Sequence, residues 1–178
     1  MQQDIGRLVI PLCDAELGDS RCGVRLDPPT WTSSTAYAVR PAAEAGSGAV
    51  VKPTAFNTRH FKCTTSGVSA GSEPAWVTTI GSTTADGTAV WTAIRALTFT
   101  GTLTGVSSGN KIFANSAMTD PPSGFFTRGK FTFASGANSG LAREVKSYVN
   151  STSTLTMQRV FPFTVAVGDA YSVTAGCG

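Results

Sequence analysis

The chain has 178 residues, a length that suits one domain or two small ones. It contains 25 threonines and 18 serines, and only 14% of its residues are charged. A net charge of +3 without a basic run does not predict nucleic-acid binding, and no apolar stretch approaches the ~18 residues of a membrane span. The start of the chain, MQQDIG, lacks the basic and apolar regions of a secretion signal, which argues against a routine disulfide framework.

The first part of the chain, residues 1–30, combines a short apolar segment with two cysteines. The segment RLVIPL is followed by Cys13 and Cys22, which are separated by eight residues. Asp27-Pro28-Pro29 ends this part, because proline fixes its own φ and restricts the residue before it. On spacing alone, a metal site, a Cys13–Cys22 disulfide and plain buried thiols all remain open.

Residues 31–95 read as a unit of short strands with its own small core. Gly, Pro, Ser and Asp punctuate the strands, and Asp86-Gly87 predicts a hairpin turn. Cys63 lies in an alternating strand, where a small buried thiol is expected. The unit holds all three tryptophans of the chain and one tyrosine: Trp31, Trp76, Trp91 and Tyr37.

Residues 96–178 predict a series of short strands. ALTFTGTLTGV alternates apolar and hydroxyl residues with period two, as one half-buried strand does, and Ser108-Gly109-Asn110 and DPPSG predict turns. LAREVKSYV is interpreted as a strand rather than a helix. Strands at roughly ten-residue spacing favour a small β-barrel or sandwich, so the fold class is all-β, with residues 31–95 inserted into a domain of residues 1–30 and 96–178. The strand in LAREVKSYV is expected to place on one face Leu141, Arg143, Val145, Ser147 and Val149.

Three stretches resemble a known family: CDAELGDSRCGV, GFFTRGKFTFASGANSGLAREVKSY and FPFTVAVGDAYSVTAGC. They are similar to the C-terminal domain of a tail-hub protein family of phages, prophages and gene transfer agents, which is itself similar to the phage lambda minor tail protein L. The resemblance implies a four-iron four-sulfur cluster held by a C-x8-C pair and a later C-x6-C pair. Its ligands here would be Cys13, Cys22 and Cys177, and the fourth would lie seven residues beyond Cys177. Zinc is the chemical alternative, because thiolates bind both.

The inserted unit has a resemblance of its own. The patterns W…ST.Y, F.C.T.G.S..SEP.W and DGT..W resemble a small β module inserted in many phage tail proteins and similar to carbohydrate-binding modules. Aromatic rings stack on the C–H faces of sugars. The resemblance therefore implies Trp31, Tyr37 and Trp76 as carbohydrate-binding candidates, with Trp76 expected to be exposed and Trp91 to be buried in the core.

Enzymatic activity is not expected. The single histidine, His60, lies in a strand and reads as structural, and none of the common nucleophile, zinc-protease or phosphate-binding motifs occurs. The acidic turn formed by Asp14, Glu16 and Asp19 lacks the pattern of a calcium loop.

The sequence thus predicts a structural component of a phage or prophage tail tip. Its expected partners are other hub proteins, the distal tail protein and the central fibre protein, and its expected location is the tail tip of the virion. A metal shared by Cys13, Cys22 and Cys177 would join the two ends of the chain. Two alternatives are a host-surface adhesin that binds polysaccharide through the inserted module, and a fragment of a polysaccharide-degrading enzyme.

Overall fold

A computed structural model describes residues 26–39 and 49–176. The fold is all-β, as predicted, and within these ranges the only helical element is the 3₁₀ turn Asn150–Thr152. The described strands are β1 (Ala36–Tyr37), β2 (Val50–Val51), β3 (Arg59–Thr65), β4 (Gly67–Val68), β5 (Thr83–Asp86), β6 (Ala89–Arg95), β7 (Thr98–Thr102), β8 (Gly105–Ser107), β9 (Ile112–Ala114), β10 (Lys130–Phe133), β11 (Ala142–Val149), β12 (Thr154–Met157) and β13 (Ala170–Thr174).

No helix in the described part of the chain has the length and apolar character needed to cross a membrane.

The strands form three sheets. A two-stranded sheet pairs β1 with β4, and a four-stranded sheet has the order β2-β3-β6-β5. A seven-stranded sheet with the order β7-β13-β10-β11-β12-β9-β8 curls into a half-barrel. All pairings within these sheets are antiparallel.

The first core lies on the four-stranded sheet and is organised by a buried carboxylate. The predicted hairpin at Asp86-Gly87 is present between β5 and β6. The Asp86 side chain, however, points inward and is only 1% exposed. Its Oδ2 accepts hydrogen bonds from the indole nitrogens of Trp31 (2.7 Å) and Trp91 (2.9 Å), and its Oδ1 accepts one from the backbone N–H of Ala70 (2.8 Å). One carboxylate thus satisfies three donors at the centre of this core.

The second core fills the half-barrel and is rich in aromatic residues. Phe131 stacks on Tyr171 with 4.8 Å between ring centroids, and Phe113 and Phe161 pack around them. The Tyr171 hydroxyl accepts a hydrogen bond from the buried amide of Asn115. The core of residues 96–176 is therefore separate from the aromatic core around Asp86. The exact domain boundaries, including the placement of residues 1–25, stay a prediction.

Two details of the predicted strands are wrong. ALTFTGTLTGV forms two strands, β7 and β8, because the chain bends at Leu103 and Thr104 and changes its pairing partner. LAREVKSYV is a strand, but a bulge between Val145 and Ser147 shifts its alternation. Val145 and Tyr148 are consequently the buried residues, and Val149 is 43% exposed. A bulge adds one residue without changing the local sequence pattern, so alternation alone does not locate it.

The aromatic core can be tested through Asp86. Asp86→Ala removes three accepted hydrogen bonds and leaves two buried indole N–H groups unsatisfied. We expect the free energy of unfolding of this core to fall by about 3 kcal/mol or more, since each unsatisfied buried donor costs about 1–3 kcal/mol. All three tryptophans lie in this part of the chain, so urea unfolding followed by tryptophan fluorescence measures it.

The control is Asp27→Ala, which removes a carboxylate that is 79% exposed and, among the described residues, pairs with Lys52. Its cost should stay below about 1 kcal/mol. If both variants unfold at the same urea concentration, the organising role of Asp86 is refuted.

Candidate functional site

The predicted metal ligands Cys13, Cys22 and Cys177 lie outside the described residues. Cys63 is described and is buried in the aromatic core, where its Sγ lies 3.2 Å from the carbonyl oxygen of Thr65. Burial raises the pKa of this thiol. Among residues 26–39 and 49–176, no group of three or more His, Cys, Asp or Glu side chains could hold a metal ion.

The chain segments that flank the predicted ligands approach the same region of the half-barrel. Before Cys177, the backbone N–H of Ala175 donates to Leu97 (2.7 Å) and that of Gly176 donates to Phe125 (3.1 Å). Gly176 lies so close to the backbone of Thr127 that a Cβ atom would not fit. At the other end, Leu26 lines a cleft together with Ala96, Thr98 and Phe126. Ala96 and Thr98 flank Leu97 in the sequence, and Phe126 follows Phe125.

The three carbohydrate-binding candidates belong to one packed aromatic cluster. Trp31 is 9% exposed and holds Asp86, so little of its ring surface is left for a sugar. Tyr37 and Trp76 are half-buried, and each meets Trp91 edge-on. Trp91 is fully buried, as predicted.

Trp76 is held by a ring contact and by a hydrogen bond. Its ring lies 4.1 Å from that of Phe61, and its indole nitrogen donates to Glu73 (2.8 Å). Burial opposes ionisation of Glu73, but hydrogen bonds from Trp76 and Thr54 outweigh it and lower the pKa of this carboxyl group. The sequence predicted an exposed Trp76 because it lies in a loop, but these contacts leave it half-buried.

Two arginines connect the aromatic core with the half-barrel. The guanidinium of Arg59, on β3, donates to both carboxylate oxygens of Asp120, at 3.0 and 3.1 Å. The Nε of Arg95, at the end of β6, lies 3.3 Å from Oδ2 of the same carboxylate. The two groups form an ion pair, but their geometry is not that of a hydrogen bond. Asp120 lies in the loop after β9, so its pairing with Arg59 links the two units across 61 residues of sequence.

His60 lies in the wall of the cleft that also holds Leu26. It is buried beside the exposed ring of Phe56, whose centroid lies 5.9 Å away. Burial lowers the pKa of His60 below its ordinary value of 6.5; Asp27 raises it and Lys52 lowers it. The neutral imidazole is therefore the form that fits the folded chain.

The connection between β12 and β13, residues 158–169, presents apolar side chains to solvent. Val160, Phe163 and Val167 are 54%, 56% and 64% exposed, whereas Phe161 and Val165 between them are buried. We call the three exposed residues the apolar rim.

Hydrogen bonds hold this connection in place. The fully buried amide of Asn138 donates to the carbonyl of Phe163 (2.9 Å) and accepts from its N–H (3.1 Å). Asn110 accepts from the N–H of Val165, and Asp169 accepts from that of Ala166. Because these bonds order the connection, the apolar rim is exposed without being a loose loop.

Sequence reasoning did not single out Asp86, Asp120 and Asn138 as organising residues. Each occurs beside glycine, proline or serine, a context typical of turns. Nothing in a turn pattern distinguishes a solvated polar side chain from one that binds groups distant in sequence.

Comparison with known proteins links the C-terminal part of the chain to phages. Residues 124–178 match the family model described as "Phage conserved hypothetical protein BR0599". A solved structure, "Virion of native gene transfer agent (GTA) particle", is similar at 11% sequence identity with a TM-score of 0.43. The similarity covers 67% of this chain and 53% of that one, so the chain spans about half the length of its structural neighbour. No curated protein matches.

The pKa of His60 has a measurable consequence. An unfolded histidine takes up a proton near pH 6.5, whereas the folded one does so only at lower pH. Unfolding therefore binds a proton in the window below pH 6.5, and the free energy of unfolding should decrease as the pH falls through it. Since the chain has one histidine, its imidazole resonance in a ¹H NMR titration reports the pKa directly.

The matched variant is His60→Gln, which should remove this part of the pH dependence and leave that of the carboxylates. A titration midpoint at or above pH 6.5 would contradict the burial argument.

Proposed function

We propose that the protein is a non-enzymatic structural component of a phage or prophage tail tip, located in the virion and assembled with other hub proteins. The observation that carries the proposal is the match of residues 124–178 to a phage protein family. This segment contains β10 to β13, which build four adjacent strands of the seven-stranded sheet.

The motifs that resemble the tail-hub family form one physical unit. In the SG.N.G motif, Gly136 has φ +78° and lies against the carboxylate of Asp169, leaving no space for a Cβ atom. Asp169 belongs to the VGD motif, and Asn138 of the first motif binds Phe163. Gly136 and Asn138 thus contact the later stretch FPFTVAVGD, which explains these residue types and supports the resemblance.

The apolar rim supports an assembly role. Exposed apolar side chains that are grouped and held in fixed positions commonly mark protein–protein contacts. Three of the eight exposed large hydrophobic residues in the described ranges lie within this one connection. We propose that the apolar rim contacts a neighbouring tail-tip protein, such as the distal tail protein.

We further propose that the intact protein holds an iron–sulfur cluster through Cys13, Cys22 and Cys177, with the fourth thiolate seven residues after Cys177. The donor chemistry fits, because thiolates are the usual ligands of such clusters. Leu26 follows Cys22 by four residues, which span at most about 14 Å. It lines a cleft with Thr98 and Phe126, close to where Ala175 and Gly176 are anchored, so the flanking segments permit the cysteines to meet.

The cluster proposal is tested by anaerobic purification, a visible spectrum and analysis for iron, sulfide and zinc. A brown protein with iron and sulfide is the expected result for the chain that includes the fourth cysteine, and Cys22→Ser should lose the colour. Cys63→Ser is the matched control and should keep it, because Cys63 lies in the other core. Zinc without sulfide, or a Cys13–Cys22 disulfide in a colourless protein, would refute the cluster.

The assembly proposal is tested with the double variant Phe163→Asp, Val167→Asp. Both side chains are exposed, so the fold should persist while co-purification with the distal tail protein of the same phage falls at least tenfold. Phe56→Asp is the control, since it places a charge at another exposed phenylalanine, 53% exposed, outside the rim. Equal retention of the partner by both variants would contradict a role for the rim.

A further inference from the structure

The outer edge of β7 lies beside a cleft. In the described part of the chain, β7 is the last strand of the seven-stranded order and pairs only with β13. A cleft of about 740 Å³ adjoins it, and Thr98, Thr100 and the core residue Phe126 are among its lining residues. An unpaired strand edge presents backbone hydrogen-bonding groups with which a further strand can pair.

At alternate residues of β7, the backbone hydrogen-bonding groups point away from β13. Ala175 donates to Leu97, and Leu103 donates to Asp169, so the odd-numbered positions of this stretch bond toward β13. In an antiparallel ladder bonded and non-bonded positions alternate. The backbone N–H and C=O groups of Thr98, Thr100 and Thr102 therefore point away from β13, and Thr98 and Thr100 line the cleft.

Counted over the described residues, the lining of the cleft carries one more positive than negative charge. Lys52 pairs with Asp27, and Arg59 uses both terminal nitrogens on Asp120. Arg95 shares Asp120 only through its Nε, and its two Nη groups have no partner among the described residues. An occupant with an acidic group next to its apolar part would complement this charge.

We propose that residues 8–12, the apolar segment LVIPL, bind in this cleft by pairing with the outer edge of β7. These residues lie outside the described part of the chain, which begins at Leu26 in the same cleft. Pro11 lacks an N–H, and within a ladder such a residue is accepted where its nitrogen faces away from the partner strand. With Pro11 turned away, Ile10 and Leu12 present their backbone groups to β7.

The direction of pairing rests on the proposed cluster, whereas the pairing itself does not. If the segment runs antiparallel to β7, with Leu12 opposite Thr98, then Cys13 follows beside Leu97, to which Ala175 is bonded. Cys177 follows Ala175 by two residues, so the two thiolates come within reach of one cluster. The same direction brings Asp14 and Glu16 toward Arg95, which matches the surplus charge.

Amide hydrogen exchange measured by NMR on the full chain tests the pairing. We expect the amides of Thr98 and Thr100 to exchange at least 100-fold more slowly than unprotected amides. Ile10→Pro, which removes the bonding N–H at the centre of the segment, should speed their exchange at least tenfold. Gln3→Pro, the matched control outside the segment, should leave it unchanged.

A cross-link gives a second measurement that does not depend on protection factors. Residues opposite each other in a ladder have Cα atoms about 5.5 Å apart, within the range of a disulfide. Ile10→Cys with Thr100→Cys should form an intramolecular disulfide on oxidation, and Gln3→Cys with Thr100→Cys should not.

Three results would overturn the pairing: unprotected Thr98 and Thr100 amides in the unaltered chain, protection that survives Ile10→Pro, or protection that rises with protein concentration, which would make a second copy the occupant.

Repeating the exchange in Cys22→Ser separates this inference from the cluster. Protection without bound iron supports the pairing alone, whereas bound iron with an unprotected Thr100 overturns the pairing and leaves the cluster standing.

Discussion

The half-barrel depends on one bend of the backbone. Leu103 still bonds to the β13 side, donating to Asp169 and accepting from Gly168, while its neighbour Thr104 donates to Ala114 after β9. Within two residues, the chain passes from one end of the seven-stranded sheet to the other. Since β7 and β8 are consecutive parts of one stretch, the sheet must curl around the second core, which contains Phe113, Phe131 and Tyr171. The curl leaves the outer edge of β7 beside a cleft that Thr98 and Thr100 line.

The two units of the chain are organised by polar groups of different kinds. Asp86 is enclosed in the aromatic core, where it satisfies two tryptophans and a backbone amide. Asp120 lies at the boundary and is 42% exposed, so its pairing with Arg59 and Arg95 contributes more to orientation than to stability. The first carboxylate maintains one core, and the second sets the position of that core on the half-barrel.

The features used by the assembly and cluster proposals lie close together around the C-terminal part of the half-barrel. The SG.N.G turn and the VGD turn hold the connection that exposes the apolar rim. The end of β13 carries the chain toward Cys177 at Leu97 and Phe125, beside the cleft that Leu26 enters. The connection that carries the apolar rim and the end of β13 both lie within the segment that matches the phage family model.

By itself, the sequence determined the all-β class, most strand positions, the Asp86-Gly87 hairpin and the burial of Trp91, because alternation and turn residues are local signals. Only the tertiary structure decided that ALTFTGTLTGV bends into two strands, that a bulge turns Tyr148 inward, and that Asp86 binds tryptophans rather than solvent. Two of those outcomes depend on groups more than 50 residues away, Asp169 for the bend at Leu103 and Trp31 for Asp86. A local pattern carries no information about which distant group will meet a bend or a buried charge.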